Sequence, residues 1–194
     1  MVRRGSGTSD APLLAWGDAL RDSRTRRRRF VRRAAALAVG IGLVGTTIVA
    51  PPTPRLVWNA SASTPIGLYA VRPGAAIEVG DMVIAREPDP YRMLAARRRY
   101  LPANVPLVKR IAAAAGDEVC AFHAAIFVNG EHAAVRRAAD GAGRPMPRWT
   151  GCIRLRRDQV FLLMTDSPAS FDGRYFGITT ARDVVGKARL LWRR

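Results

Sequence analysis

The sequence predicts a mainly β domain that follows one apolar N-terminal helix. Short apolar runs separated by turn residues fill most of the chain after residue 55. The run Ala34–Ala50 carries no charge and follows a cluster of arginines. Thirteen prolines and seventeen glycines argue against a helical bundle. At 194 residues the chain has room for one domain of ordinary size. We therefore expect a curved or barrel-like antiparallel sheet.

The N-terminal part is predicted to anchor the protein in a membrane. Residues 1–29 are polar and basic, and we expect them to form a disordered cytoplasmic leader. Residues 30–50 are predicted to form a transmembrane helix whose flanking arginines reach back to the interface. Because the arginines precede the apolar run, the positive-inside rule predicts a cytoplasmic N-terminus. Residues 51–194 are then an exported domain that starts close to the bilayer, since the prolines at 51, 52 and 54 stop the helix.

Two other interpretations of the basic, apolar N-terminus remain. A cleaved signal peptide would suit the small residues at 45–50, although a charged region of more than about thirty residues is long for one. The net charge of +17 and the arginine cluster would also suit a nucleic-acid-binding arm. We find neither zinc-finger spacing nor a basic patch interleaved with aromatic residues. We therefore predict the lipid bilayer as a partner, and no nucleic acid.

The exported part has the pattern of antiparallel strands joined by turns. The pair Asn129-Gly130 is a strong hairpin signal. Residues 91–100 are expected to form a short helix, and residues 137–151 a surface loop. The predicted strands are 68–71, 82–85, 106–112, 118–122, 125–128, 159–164 and 184–192.

The two cysteines, Cys120 and Cys152, fall on the exported side of the predicted topology. An oxidising compartment favours a disulfide between them over two buried free thiols. Their spacing is not C-x-x-C, so even with His123 nearby they make a weak metal site. We predict the disulfide and no bound metal.

The chemistry centres on the stretch from Trp58 to Tyr69, where Ser61 and Ser63 lie on a proline-braced loop. A serine needs a base to become a nucleophile. Of the 32 basic residues only Lys109 and Lys187 are lysines, the type of basic residue that can lose its proton when buried.

The strand pattern puts Lys109 on the same face as Leu107 and Ile111, where desolvation would favour a neutral amine. An ordinary surface lysine on an edge strand is the alternative.

A second polar cluster contains Ser170, Asp172 and Arg174 at alternate positions. A carboxylate held against a guanidinium, with a hydroxyl beside it, would form a rigid hydrogen-bonded floor. A surface ion pair of little energetic value is the alternative.

Taken in order, four motifs resemble the type I signal peptidase family, and within it the conjugative-transfer, TraF-like branch. The resemblance spans roughly residues 30–194. It rests on the segments 61–69 (SASTPIGLY), 80–83 (GDMV), 107–111 (LVKRI) with Gly116-Asp117 after it, and 170–177 (SFDGRYFG). The implied fold is the family's curved antiparallel β-sheet catalytic core with one N-terminal transmembrane helix.

The resemblance implies a Ser-Lys endopeptidase. Ser63 would be the nucleophile and Lys109 the general base, with Ser61 and the Ser63 N–H as oxyanion donors. Ser170 would orient the amine, and Asp172 with Arg174 would be the supporting ion pair.

The substrate would be an exported precursor, such as a conjugative pilin or a signal-peptide-bearing protein, with small residues before the cut. The product would be released by hydrolysis or by cyclisation. No metal or organic cofactor would be needed. The expected location is the bacterial inner membrane, with the catalytic domain in the periplasm.

Some residues depart from the family pattern. Pro65 lies two residues after Ser63 rather than three, and Thr64 replaces the usual methionine, which leaves Ser61 as an alternative nucleophile. Gly173 stands where many members have serine. The family's large second β-domain has no room in this chain, so we expect a minimal core.

Two other functional classes stay open. One is a catalytically inactive, membrane-tethered assembly component of a secretion or conjugation system. The other is a Ser-His-Asp hydrolase that uses His123 or His132.

Overall fold

A computed structural model describes residues 11–50 and 52–194, and it divides the chain into an N-terminal helical unit and a β domain. The helical unit contains α1 (Ala11–Val49). Within it, Ser23–Val49 is long and apolar enough to cross a membrane. Its apolar side chains, among them Leu37 and Ile41, are exposed.

The basic leader differs from the expectation. Residues 1–10 of the predicted leader lie outside the described residues, whereas residues 11–29 are helical. Arginine, alanine and leucine are good helix formers, and adding a residue to an existing helix costs far less than starting one. The apolar helix therefore extends backwards into the arginine cluster.

The domain from Thr53 onward is built almost entirely of antiparallel strands. The predicted short helix is present as α2 (Asp89–Arg97), and two short turns, α3 (Gly173–Phe176) and a 3₁₀ turn (Ala181–Asp183), were not predicted. The strands are β1 (Leu56–Asn59), β2 (Gly67–Arg72), β3 (Met82–Ala85), β4 (Leu107–Ala113), β5 (Glu118–Phe122), β6 (Ala125–Val128), β7 (Glu131–Val135), β8 (Gly151–Arg154), β9 (Gln159–Leu162), β10 (Thr179–Thr180) and β11 (Val184–Arg193).

Seven strands form the larger sheet, in the order β1-β2-β11-β3-β4-β9-β10. Register shifts within the β11 and β4 pairings bend the strands, as bulges do, and the sheet curls into a half-barrel. The mainly β, curved antiparallel fold is thus confirmed. β2 and β11 approach each other closely at Gly67, where a Cβ would come within 2.0 Å of the Trp192 carbonyl oxygen.

The centre of this sheet is buried on both faces. One face of β3 and β4 presents Ile84 and Val108 to a core with Tyr69. The other presents Val83 and Ile111 to a second core. β4 lies between β3 and β9, so it is a central strand rather than an edge. A residue at its middle is therefore removed from water.

The smaller sheet has four strands, in the order β7-β6-β5-β8. It contains the hairpin predicted from Asn129-Gly130, and both residues have the positive φ that a type I′ turn requires. Its apolar face packs on β9 through Phe161.

Cys120 and Cys152 face each other on β5 and β8, and they are joined by a disulfide across 32 residues of chain. Together with hydrogen bonds from Arg136, it ties the long β7–β8 connection to the domain.

Removing this disulfide should lower the free energy of unfolding of the full chain by about 3 to 4 kcal/mol, since a loop of this length regains freedom only when the chain unfolds. Chemical denaturation of a Cys120→Ala/Cys152→Ala double variant measures the loss. Reduced wild-type protein is the matched control and should unfold like the variant. Equal stability of the variant and the oxidised protein would contradict the prediction.

Candidate active site

The loop that carries Ser61 and Ser63 is organised by Asn59, the last residue of β1. The Asn59 amide group donates to the Thr64 hydroxyl at 2.7 Å and to the carbonyl oxygens of Ser61 and Pro65 at 2.9 and 3.1 Å. Its oxygen accepts from the Ser61 N–H at 3.0 Å. Because Asn59 and Thr64 are buried, these bonds have little competition from water. The loop is therefore held in one conformation, and the Thr64 hydroxyl helps to hold it by accepting the bond from Asn59.

Lys109 lies at the middle of β4, directly opposite Val83 of β3. Its side chain is on the face that is packed by Ile111 and is only 2% exposed. The Lys109 Nζ lies 2.7 Å from the Ser63 Oγ and 2.9 Å from the Ser170 Oγ. The structure thus brings together the three residues that the motifs predicted to share one site, across 46 and 61 residues of sequence.

Burial lowers the pKa of Lys109 from 10.5 to about 8, because the charged ammonium is poorly solvated. The carboxylate of Asp172 raises that pKa, the guanidinium of Arg174 lowers it, and Glu87 raises it. A substantial fraction of the amine is therefore neutral in mildly alkaline solution. Such an amine has a free lone pair that can take a proton from a neighbouring hydroxyl.

Ser61 and Ser63 contact each other as well as the lysine. Their hydroxyl oxygens are 3.0 Å apart, and the Ser63 N–H donates weakly to the Ser61 Oγ at 3.4 Å. Of the two hydroxyls, that of Ser63 is the one bonded to Lys109. The geometry therefore favours Ser63 over Ser61 as the residue that a neutral amine would activate.

Asp172 and Arg174 form a buried ion pair rather than a surface one. Both side chains are at most 1% exposed, and the guanidinium meets the carboxylate with two bonds, of 2.8 and 3.1 Å. The same guanidinium donates to the carbonyl oxygens of Met164 and Ser167. The Asp172 carboxylate also accepts from the backbone N–H groups of Met164 and Arg174. These bonds offset the desolvation of the charges and fix the loop that carries Ser170.

Gly173 departs from the family pattern for a visible reason. A Cβ at this position would come within 2.7 Å of both the Leu162 carbonyl oxygen and the Phe161 ring. Real side chains do not approach so closely. A serine would therefore displace β9, on which the loop rests.

Ser63, Lys109 and Ser170 open into a cavity of about 350 Å³. One wall was not expected, because residues 137–151 were predicted to be a surface loop. Asp140 in this segment accepts hydrogen bonds from Tyr100 and from Arg144, and residues 137, 139–141 and 146 line the cavity. Arg98 strengthens the attachment by donating to the carbonyl oxygen at position 145. The predicted surface loop is thus part of the site.

Sequence reasoning also missed Asn59 and Glu87, which both line this cavity and are both buried. For Asn59 there was a signal, since asparagine at the end of a strand commonly bonds to the following loop backbone. Glu87 gave no signal, because a glutamate two residues beyond a strand is ordinarily solvated.

The remaining candidate groups lie elsewhere. Lys187 pairs with Asp81 at 2.7 Å and is partly exposed, so it has no apolar enclosure. His123 and His132 are exposed on the smaller sheet, and neither lines the cavity. Glu118 lies beside the two cysteines, but the disulfide removes the thiolates that a metal ion would need.

Comparison with known proteins agrees with the motifs. Two curated relatives, both described as plasmid transfer protein TraF from Escherichia coli, are 32% and 35% identical to this chain. The first match covers 84% of this chain and 99% of the relative, and the second covers 61% and 72%. The crystal structure of a signal peptidase I from Enterococcus faecalis matches with 16% identity and a TM-score of 0.35, over 61% of this chain and 98% of that one.

The family model described as signal peptidase, peptidase S26, matches residues 27–193. That span includes the serine loop, the buried lysine and the Asp172–Arg174 pair, and it covers most of the chain. The chain therefore belongs to the S26 signal peptidase family.

Proposed function

We propose that this protein is a membrane-anchored serine endopeptidase that uses a Ser63–Lys109 dyad to process exported precursors. The observation that carries the proposal is the contact of 2.7 Å between the Lys109 Nζ and the Ser63 Oγ, made by a lysine that is 2% exposed. A lysine so enclosed has the lowered pKa that a base needs near neutral pH.

The first chemical step is a proton transfer coupled to nucleophilic attack. Neutral Lys109 takes the proton of the Ser63 hydroxyl, and the Ser63 Oγ attacks the carbonyl carbon of the scissile peptide. The electrons of the C=O double bond move to the oxygen, which gives a tetrahedral oxyanion. Ser170 holds the Lys109 amine on its other side, so that the lone pair points to Ser63. Collapse of the oxyanion expels the amine, protonated by Lys109, and leaves an acyl-enzyme.

The oxyanion is stabilised by the Ser63 N–H and the Ser61 hydroxyl. In the free enzyme these groups bond to each other. A bound carbonyl oxygen would accept from both in place of that internal bond. Each well-placed donor of this kind contributes about 3 kcal/mol to transition-state stabilisation.

The substrate is an exported precursor, such as a conjugative pilin or a protein with a signal peptide. The similarity to the two plasmid transfer proteins supports the first, and the family supports the second. Residues 30–50 hold the protein in the bacterial inner membrane, with residues 1–29 in the cytoplasm and residues 51–194 in the periplasm. The acyl-enzyme is released by water or by the substrate's own amine.

The dyad predicts a specific mutational pattern. Ser63→Ala and Lys109→Ala should each abolish processing of a co-expressed pilin-like precursor, because one removes the nucleophile and the other the base. Ser61→Ala should lower the rate by roughly 100-fold, as loss of one oxyanion donor does. Mass spectrometry of the precursor measures processing, and a product lighter than the linear one by one water identifies cyclisation.

Lys187→Ala is the matched control, since it removes the chain's only other lysine from a partly exposed ion pair. It should process the precursor at the wild-type rate. Full activity of Lys109→Ala would refute the dyad. A wild-type enzyme that neither processes the precursor nor reacts with a serine-directed acylating probe would instead indicate the inactive assembly component.

The rate should depend on pH through Lys109. Only the neutral amine can accept the Ser63 proton, so kcat/KM should rise about tenfold per pH unit below the pKa of about 8 and level off above it. Steady-state cleavage of a peptide between pH 6 and 9.5 measures the profile. The Lys187→Ala variant should give the same curve. A flat profile over this range would contradict the proposal.

Asn59 should matter to stability as well as to activity. Asn59→Ala leaves buried groups of the serine loop without partners, and we expect the free energy of unfolding to fall by about 1 to 3 kcal/mol. The exposed Asn104 offers a matched Asn104→Ala control, which should change stability by less than about 0.5 kcal/mol. Chemical denaturation compares the two, and equal effects would show that Asn59 does not hold the loop.

A further inference from the structure

The wall of the cavity contains a buried carboxyl group, that of Glu87, which has no part in the mechanism described above. β3 and β4 are paired with Val83 opposite Lys109 and Ala85 opposite Leu107. Glu87 lies two residues beyond the end of β3 at Ala85, where continued alternation would place it on the face of Lys109. Its exposure of 2% matches this position, while its neighbour Arg86 is exposed. Glu87 and Lys109 therefore line one cavity and are both buried there.

The Glu87 carboxylate has no ion pair among the salt bridges of the described residues. The charge of Arg92, which belongs to α2, acts on Glu87, but its guanidinium forms an ion pair with another carboxylate. One Arg92 nitrogen donates to the backbone carbonyl oxygen of Glu87 at 3.1 Å, and another pairs with the Asp89 carboxylate at 3.1 Å. Burial raises the pKa of Glu87, while its own backbone N–H, Arg92 and Lys109 lower it. The ionised carboxylate is therefore stabilised by Arg92 and by the positive charge of Lys109 inside the cavity.

The other buried carboxylate near Lys109 is in a different situation. Asp172 is held by Arg174 through two short bonds, so the effects of the two groups on Lys109 oppose each other. Farther along the cavity, Arg137 is exposed and Asp140 is engaged with Arg144. Asp172 and Asp140 each form an ion pair with an arginine. Glu87 has no such pair among the salt bridges of the described residues.

We propose that Glu87 is a positioning residue whose carboxylate stabilises the ammonium that forms on Lys109 when the amine takes the Ser63 proton. The proposal rests on the proposed function. In a site shielded from water, a new positive charge is costly unless a negative charge lies nearby, since Coulomb interactions there are much stronger than in solvent. Glu87 thus favours the charged lysine of the transition state. The same interaction favours the charged lysine of the resting enzyme.

The Glu87→Gln variant separates these two consequences, because it removes the charge and keeps the size. Without the carboxylate the resting ammonium loses its proton more readily, so the rising limb of kcat/KM should move to lower pH by about half to one unit. The ammonium of the transition state loses the same stabilisation, so the plateau at high pH should fall by about threefold to tenfold. A purely structural role would lower the plateau and leave the limb unchanged.

Full-length wild-type enzyme, Glu87→Gln, Glu87→Asp and Glu78→Gln are compared on one peptide substrate between pH 6 and 9.5, with thermal unfolding of each. Glu78 is exposed, and its variant should reproduce the wild-type profile. Glu87→Asp keeps the charge but withdraws it by one methylene, so its limb should lie between those of wild type and Glu87→Gln. If Glu87→Gln does not fold, Glu87→Asp decides the question.

An unshifted limb in a folded Glu87→Gln variant overturns the proposal, whatever its plateau. If Glu87→Gln is unfolded, a Glu87→Asp pH profile that superimposes on that of the wild type overturns the proposal. Failure of the proposed function looks different, because the wild type would then be inactive or Lys109→Ala would be active. The shift in the rising limb of kcat/KM is therefore tested only after the wild type has been shown to be active and Lys109→Ala inactive.

Discussion

The site depends on one physical constraint, the burial of a lysine amine between two serine hydroxyls. Lys109 reaches Ser63 and Ser170 from the centre of β4, where water has little access. A lysine on an edge strand would keep its ordinary pKa and would be charged at neutral pH. The central place of β4 in the seven-stranded sheet therefore has a chemical consequence, because it lowers the pKa of the residue at its middle to about 8.

The loops around the lysine must be rigid, since a base and a nucleophile act only at hydrogen-bonding distance. In each loop one buried polar side chain makes several hydrogen bonds to the loop backbone. Asn59 binds the backbone of the Ser61–Pro65 loop, and Arg174, itself paired with Asp172, binds the backbone of the loop that carries Ser170. Buried polar groups are costly when unpaired, so both arrangements stabilise one loop conformation over others. Catalytic geometry and loop stability thus rest on the same contacts.

Much of the fold and of the candidate site could be predicted from the sequence. Alternation in 107–111 predicts that Lys109 shares a face with apolar residues, and the resemblance to the signal peptidase family pairs it with Ser63 although 46 residues separate them. Local patterns carry no such information for the cavity wall. The contact of Tyr100 with Asp140 joins segments 40 residues apart, and both residues have ordinary surface character. The strands at 56–59, 151–154 and 179–180 were missed because each has at most four residues, too few to show an alternating pattern.

The composition of the chain agrees with this site. Arginine keeps its proton under all conditions that a protein tolerates, so an arginine at position 109 could fill the space but not accept a proton. Of the 32 basic residues only the two lysines can act as bases. Lys187 lies 2.7 Å from the carboxylate of Asp81 and is partly exposed, whereas Lys109 is buried, and burial destabilises its charged form. Burial thus prepares the lysine beside Ser63 to lose its proton.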